Sequence, residues 1–249
     1  MNYIRATYRL FKLSIATIYY LLWGYFQILL GKDRDLVSHQ LRKNWGEKCL
    51  SILKFDVSVQ NTLEQDPKGL IMANHRSYID VLILFALYPS SIVAKSDIGK
   101  WPILSFAVGL ADIILVDRGS MNSRLNTMND IKERLEKDKR IILFPEGGIG
   151  DSHFPQKFKG GSFLIASQLN TTVTPITLWY EDKNDAWVGD VSFLKHFYLQ
   201  MGKKKSHAKV KVMPPIYNER ARALSQEVFD CIHQGVIEFE EGVENSLCV

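Results

Sequence analysis

Residues 69–87 read GLIMANHRSYIDVLILFAL. A strand-length apolar run, GLIMA, passes directly into the polar segment Asn74-His75-Arg76-Ser77-Tyr78-Ile79-Asp80. A second apolar run, VLILFAL, then follows at helix length, near 78–88. A strand apolar on both faces that hands over to a helix through a short loop is half of a β-α-β unit, the building block of a parallel sheet covered by helices. The alternation repeats along the chain. Further strand-length runs are DVSVQ (56–60), SIVAK (91–95), DIILV (112–116), RIILF (140–144), TVTPITL (172–178) and KVKVM (209–213). Helical stretches fall near 121–138 and 160–169, and a last one at 221–241 carries Val228, Ile232, Val236 and Phe239 at spacings of three and four. An amphipathic helix is expected from Asp35 to Lys54, with apolar residues at 37, 41, 45 and 49. The pattern predicts an α/β fold, a largely parallel mixed sheet flanked by helices. Its chemistry should gather at the loops leaving the strand C-termini.

Composition agrees and removes several alternatives. The chain has 249 residues, 46% hydrophobic and 23% charged, with 16 Gly and 8 Pro, so it can build a core and is neither disordered nor of low complexity. Lys and Arg number 31 against 27 Asp and Glu, a net charge of +4. That excess is too small to argue for nucleic acid, and it suits an anionic membrane surface. Cys49, Cys231 and Cys248 are three, far apart and without C-x-x-C spacing, which disfavours a disulfide framework or a zinc ribbon and favours a reducing compartment. No histidine spacing suits a metal.

The N-terminus departs from this pattern. Residues 13–30, LSIATIYYLLWGYFQILL, carry no charge, with Arg5, Arg9 and Lys12 before them and Lys32 and Arg34 after. As a helix the run would be about 27 Å long, the lower limit for spanning hydrocarbon. No small-residue cleavage site follows it, against a signal peptide. Three Tyr, a Trp and a Gln spread through the run are interfacial in character and favour a helix lying on the membrane over one crossing it. The expected division is therefore a membrane-associated helix over 1–33 and a catalytic domain over 34–249.

Two loops carry chemistry-bearing residues. In the first, His75 can serve as a general base near neutral pH, and a carboxylate at Asp80, in the first turn of the following helix, can fix its tautomer. The spacing Ser77-x-x-Asp80 before an apolar run also fits a capping box, and a capping Asp80 can still face His75. In the second, Phe144-Pro145-Glu146-Gly147-Gly148-Ile149-Gly150-Asp151 follows strand RIIL. Its three glycines leave backbone N–H groups open to a phosphate or an oxyanion, although an ordinary tight turn has the same composition.

NHRSYID resembles the N-H-x-x-x-x-D block of the glycerolipid acyltransferases, the family that includes bacterial 1-acyl-glycerol-3-phosphate acyltransferase. The resemblance covers about residues 70–178 in four ordered blocks. It implies that His75 deprotonates an acceptor hydroxyl and that Asp80 supports it. FPEGG is similar to the family's F-P-E-G-T-R block through Glu146 and Gly147. Gly148 replaces the usual Thr, and Ile149 stands where the family commonly places an arginine for the acceptor phosphate. DIILVDRG (112–119) resembles the G-x-I-F-I-D-R block, with Asp112 in place of Gly and Arg118 matching the headgroup arginine. Val173-Thr174-Pro175-Ile176 is similar to the fourth block, and 187–196 to a segment of members that acylate lyso-ornithine and related aminolipids.

The resemblance thus implies a membrane-associated acyltransferase needing no cofactor, working at the cytoplasmic face of the cell membrane. It would move a fatty acyl group from acyl-CoA or acyl carrier protein to a lysolipid. The default acceptor is 1-acyl-sn-glycerol-3-phosphate, giving phosphatidate in phospholipid biosynthesis; a lyso-aminolipid is the alternative. His75 and Asp80 are the expected catalytic pair, and Arg118, Glu146, Gly147, Gly148 and Lys159 the expected substrate-binding residues, the Gly147 and Gly148 amides as oxyanion donors. Lys95 is a further anion-binding candidate, while Lys203-Lys204-Lys205 is expected to be a solvated loop. A non-catalytic membrane adaptor on the same fold and a thioesterase that activates water with His75 are the competing classes.

Overall fold

A computed structural model describes residues 2–63, 66–100, 102–150, 152–187, 189 and 191–242. Asp151 and Cys248, named above, and Val188 and Asp190 within the segment 187–196 lie outside the described residues. The strands are β1 (Phe55–Gln60), β2 (Leu70–Ala73), β3 (Ser91–Lys95), β4 (Ile113–Val116), β5 (Ile141–Leu143), β6 (Val173–Tyr180) and β7 (Ser206–Val212). They form one sheet in the order β1-β7-β6-β2-β5-β3-β4. The five strands from β6 to β4 run parallel, β7 is antiparallel to β6, and β1 is parallel to β7 at the edge. The sheet is therefore mixed and largely parallel, as expected.

The helices are α1 (Tyr3–Leu29), α2 (Arg34–Leu53), α3 (Ile79–Leu87), α4 (Pro102–Leu110), α5 (Met121–Glu136), α6 (Gly161–Gln168), α7 (Phe193–Gly202) and α8 (Ala221–Glu241). Helix α2 is capped by Asp33, whose side chain accepts from Leu36 N, and α5 likewise by Ser120. The strand period of two assigns the two faces. Ile71 and Ala73 of β2 pack with Ile79, Ile83 and Leu84 of α3 and with Cys49, Leu50 and Leu53 of α2. Leu70 and Met72 point the other way, into a core with Phe163 of α6, Ile131 of α5 and Val228 and Ile232 of α8. Central strand β2 is buried on both faces, the reason its sequence has no polar alternation.

Helix α1 is present but longer than its apolar run, and it is part of the folded body. It packs against α2, α4 and α7, and its Ala6 and Leu13 belong to the core beneath α3. Arg9, expected to flank a membrane segment, is instead buried, donating to the carbonyls of Met201 (3.2 Å), Lys203 (2.6 Å) and Lys204 (3.1 Å). These are C-terminal carbonyls of α7 and its continuation, which need donors once the helix ends. Helix α1 ends at Leu29, inside the expected boundary at residue 33, and is docked on the body of the fold. The outward face of α1 is a continuous apolar and aromatic stripe: Ile4 (84% exposed), Phe11 (65%), Leu22 (67%) and Leu29 (84%) stand on it. No helix among the described residues is long and apolar enough to cross a membrane.

Helices α4 and α7 were not anticipated. PILSFAVGL is apolar nearly all round, and FLKHFYLQMG mixes aromatic and polar residues, so neither shows a clear stripe. The triple lysine is partly paired rather than wholly solvated: Lys203 bridges Asp182 and Asp185, and Lys205 bonds Asp56. Lys95 pairs with Asp97 on the surface.

Candidate active site

The parallel strands bring their C-terminal ends to one edge of the sheet, and the chemistry-bearing residues lie there. β2 delivers His75, its neighbour β5 delivers Glu146 to Gly148, its other neighbour β6 ends at Tyr180, and β4 leads into Arg118. Asn74 fastens the first loop to the sheet. Its side chain donates to Leu178 O (2.9 Å) and accepts from Leu178 N (2.8 Å), replacing the ladder bonds that β2 gives up as it leaves β6.

His75 Nδ1 lies 2.8 Å from Asp80 Oδ2. Asp80 is fully buried, and the same oxygen accepts from the backbone N–H of Arg76 (2.6 Å) and Ser77 (2.8 Å). Both readings of the spacing therefore hold, for Asp80 ties off the start of α3 and also holds the imidazole. A carboxylate can only accept, so Nδ1 carries the proton and Nε2 keeps its lone pair. The imidazole stacks on Phe144, with centroids 3.9 Å apart and planes 12° from parallel. Its side chain stays 15% exposed, so the site is open to a ligand.

Glu146 corrects an expectation. Its side chain has no exposed surface. Oε1 accepts from His75 N (2.9 Å) and Arg76 Nη2 (3.3 Å), and Oε2 from Arg76 Nη2 (3.2 Å) and Gln156 N (3.0 Å). All the lone pairs are used, which leaves none for an acceptor. Glu146 instead locks the two loops together. Arg76, also buried, completes the lock by donating to the carbonyls of His153 (3.1 Å) and Phe154 (2.6 Å). Sequence reasoning missed Arg76, because its partner is 70 residues away.

The glycine pair divides its roles. Gly147 sits at φ +75°, and its N–H closes a turn onto Phe144 O (3.0 Å), so this amide is not available as an oxyanion donor. Gly148 N–H meets no acceptor among the described residues and remains available. Lys159 lies directly over Gly147, where any side chain would collide with it, and Arg118 Nη1 stands 3.3 Å from the position a Cβ would take at Gly148. The two cations converge on one turn, and neither has an acid partner among the described residues. Burial alone pulls the Arg118 guanidinium below its ordinary value. A desolvated cation without a counter-charge is poised for an anion.

The segment after β6 closes another side. Trp187 N donates to Arg76 O (2.7 Å), and Tyr78 packs edge-on to Phe193 and His196 at centroid distances of 5.2 and 5.7 Å. Trp187, Phe193 and His196 of the segment noted in the sequence for its resemblance thus lie beside the His75 loop.

The chain is similar to known proteins in sequence and in fold. The chain is 25% identical over 193 residues to the lyso-ornithine lipid O-acyltransferase of Pseudomonas aeruginosa, covering 76% of this chain and 74% of that one. It is 26% identical over 181 residues to the 1-acyl-sn-glycerol-3-phosphate acyltransferase of Helicobacter pylori, covering 71% and 73%. The fold is that of the 1-acyl-sn-glycerophosphate acyltransferase of Thermotoga maritima, with a TM-score of 0.79 over 98% of both chains at 19% identity. The profile of the family described as Acyltransferase matches residues 54–179, from just before β1 to the last residue but one of β6, and takes in His75, Asp80, Arg118, Glu146, Gly148 and Lys159: the chain belongs to the Acyltransferase family and is an O-acyltransferase.

Proposed function

We propose that the chain acylates the free hydroxyl of 1-acyl-sn-glycerol-3-phosphate with a fatty acyl group from acyl-CoA or acyl carrier protein, giving phosphatidate at a membrane surface. The observation that carries this reading is the convergence of Arg118 and Lys159 on the Gly147–Gly148 turn, which Glu146 ties to the His75 loop. A phosphate monoester fits two unpaired cations and a free amide. With the phosphate there, the acceptor hydroxyl meets His75 Nε2. The imidazole takes its proton as the oxygen attacks the thioester carbonyl, and Asp80 stabilises the imidazolium that forms. Gly148 N–H is the candidate donor to the tetrahedral oxyanion, which collapses by expelling the thiolate. No covalent acyl-enzyme is needed.

The cations also answer the missing arginine, since Lys159 brings a charge to the loop in which Ile149 has none. A second reading, a lyso-aminolipid acceptor, draws on Ile149 and on the Pseudomonas aeruginosa relative. The exposed stripe of α1 supports a monotopic seat on the membrane, and soluble acyl donors would put that seat on the cytoplasmic face.

The test is acyl transfer by the purified protein to a panel of lysolipids, with His75→Ala as control. Arg118→Ala should raise the KM for lysophosphatidate by roughly 10- to 100-fold, the worth of a charge-assisted hydrogen bond, with the donor KM unchanged. Transfer only to lyso-ornithine lipid would replace the phosphate reading. Fatty acid released without an acceptor would make the protein a thioesterase.

A further inference from the structure

Tyr180, at the end of β6, points its hydroxyl at the oxygen of Asp80 that His75 does not use. The two residues are 100 positions apart, joined because β6 pairs with β2. Oδ2 takes three N–H donors, and Oδ1 takes Tyr180 alone among the described residues. Tyr180 is buried, its ring held edge-on by Phe55 at 5.8 Å and 82°. Burial first, then the Asp80 charge and hydrogen bond, hold its hydroxyl well above the ordinary tyrosine value, so it stays a donor.

We propose that Tyr180 is a positioning residue for the acyl transfer: its hydroxyl fixes the rotation of the Asp80 carboxylate and sets how strongly that carboxylate draws on His75. The inference rests on the reading of His75 as the base. Without the hydroxyl, Oδ1 is an unsatisfied buried acceptor, and the carboxylate is held through Oδ2 alone, with less to oppose a small rotation about Cβ–Cγ that the imidazole would follow. The undrained negative charge also holds the His75 proton more tightly. The other charged groups facing the relay are Arg76 and Glu146, paired with each other, and Asp185, whose charge is felt at Tyr180.

The experiment combines Tyr180→Phe with 3,5-difluorotyrosine placed at position 180, read by pH–rate profiles and by NMR titration of the His75 imidazole. Tyr180→Phe should lower kcat about tenfold with both KM values within about twofold, and move the acid limb of kcat/KM up by about half a pH unit. Difluorotyrosine keeps the shape and donates more strongly, so it should move the same limb down. If Tyr180→Phe fails to fold, the fluorinated protein carries the test. An unmoved limb and an unmoved His75 titration in a folded variant would overturn the proposal and leave Tyr180 a structural tie. A titration that moves while the limb stays would leave the coupling intact and overturn His75 as the base.

Discussion

At the scale of single residues, the site is built by saturating carboxylates. Asp80 and Glu146 are both buried, and between them they take donors from His75, Arg76, Ser77, Gln156 and Tyr180. Four donors on Asp80 and three on Glu146, with Arg76 Nη2 reaching both Glu146 oxygens, fix the loops before any ligand arrives, which is preorganisation in its usual sense. The two acids differ in their reach. Asp80 touches the imidazole ring, whereas Glu146 touches only the backbone of His75. Asp80→Asn should therefore lower kcat by roughly 10³-fold, because the neutral amide no longer stabilises the imidazolium. An asparagine can still accept at the Oδ2 position and offer its NH₂ to the Tyr180 oxygen, so the fold should lose only about 1–3 kcal/mol. Steady-state kinetics beside a thermal melt separates the two effects, and near-normal turnover would reduce Asp80 to a helix cap.

At the scale of elements, helix α1 works on two sides. Its inner face carries Ala6, Arg9, Leu13, Ala16 and Gly24, small or specifically bonded residues that allow close contact with α2, α4 and α7. Its outer face exposes Tyr8, Phe11, Ile15, Leu22 and Phe26. Deleting the helix would uncover Val37, Leu41 and Leu110, the cluster that Leu21 covers, and so would confuse binding with unfolding. The outer face can be tested alone. Replacing Phe11, Leu22 and Phe26 together by Ser should abolish sedimentation with anionic phospholipid vesicles and leave the melting temperature within about two degrees, since none of the three is buried. Vesicle binding at the native level would remove α1 as the membrane seat. This division was half legible in the sequence. The apolar run announced a helix, but the docking of its inner face depends on Arg9 meeting the carbonyls after Met201, 192 residues away.

At the scale of the whole molecule, legibility followed sequence distance. The central strands were readable because parallel strands buried on both faces, β2 and β5 above all, are unbroken apolar runs, edge strand β1 and its neighbour β7 because they alternate apolar with polar residues, and the ends of β2 and β5 because Asn74–Asp80 and Phe144–Gly148 are local patterns. Glu146 was misread because a carboxylate beside glycines looks ligand-facing until Arg76 is placed against it, and Tyr180 was invisible because only the β2–β6 pairing brings it to Asp80. The same long-range logic joins the last third of the chain to the catalytic loop through His196. Its Nε2 lies 3.1 Å from the carbonyls of both Asn184 and Ala186, so that nitrogen must be the donor, and Nδ1 accepts from Tyr78 OH at 3.1 Å. This arrangement suits the neutral ring. Burial, with Lys203 nearby, pulls its pKa below the ordinary histidine value, against the weaker opposing pull of Asp185 and the two carbonyls. His39 and His153 are lowered by burial as well. Unfolded, these histidines take up protons near pH 6.5, while the folded chain still excludes them. The unfolded state then binds more protons, so stability is complete above about pH 7 and falls as the pH drops through 6.5. Melting temperatures between pH 7.5 and 5.5 should decline in the native protein. They should decline less steeply in His196→Gln, which keeps a donor for the carbonyls but cannot take up the proton. Equal slopes would show that this histidine does not couple the segment after β6 to acid, and would leave His39 and His153 to account for the decline.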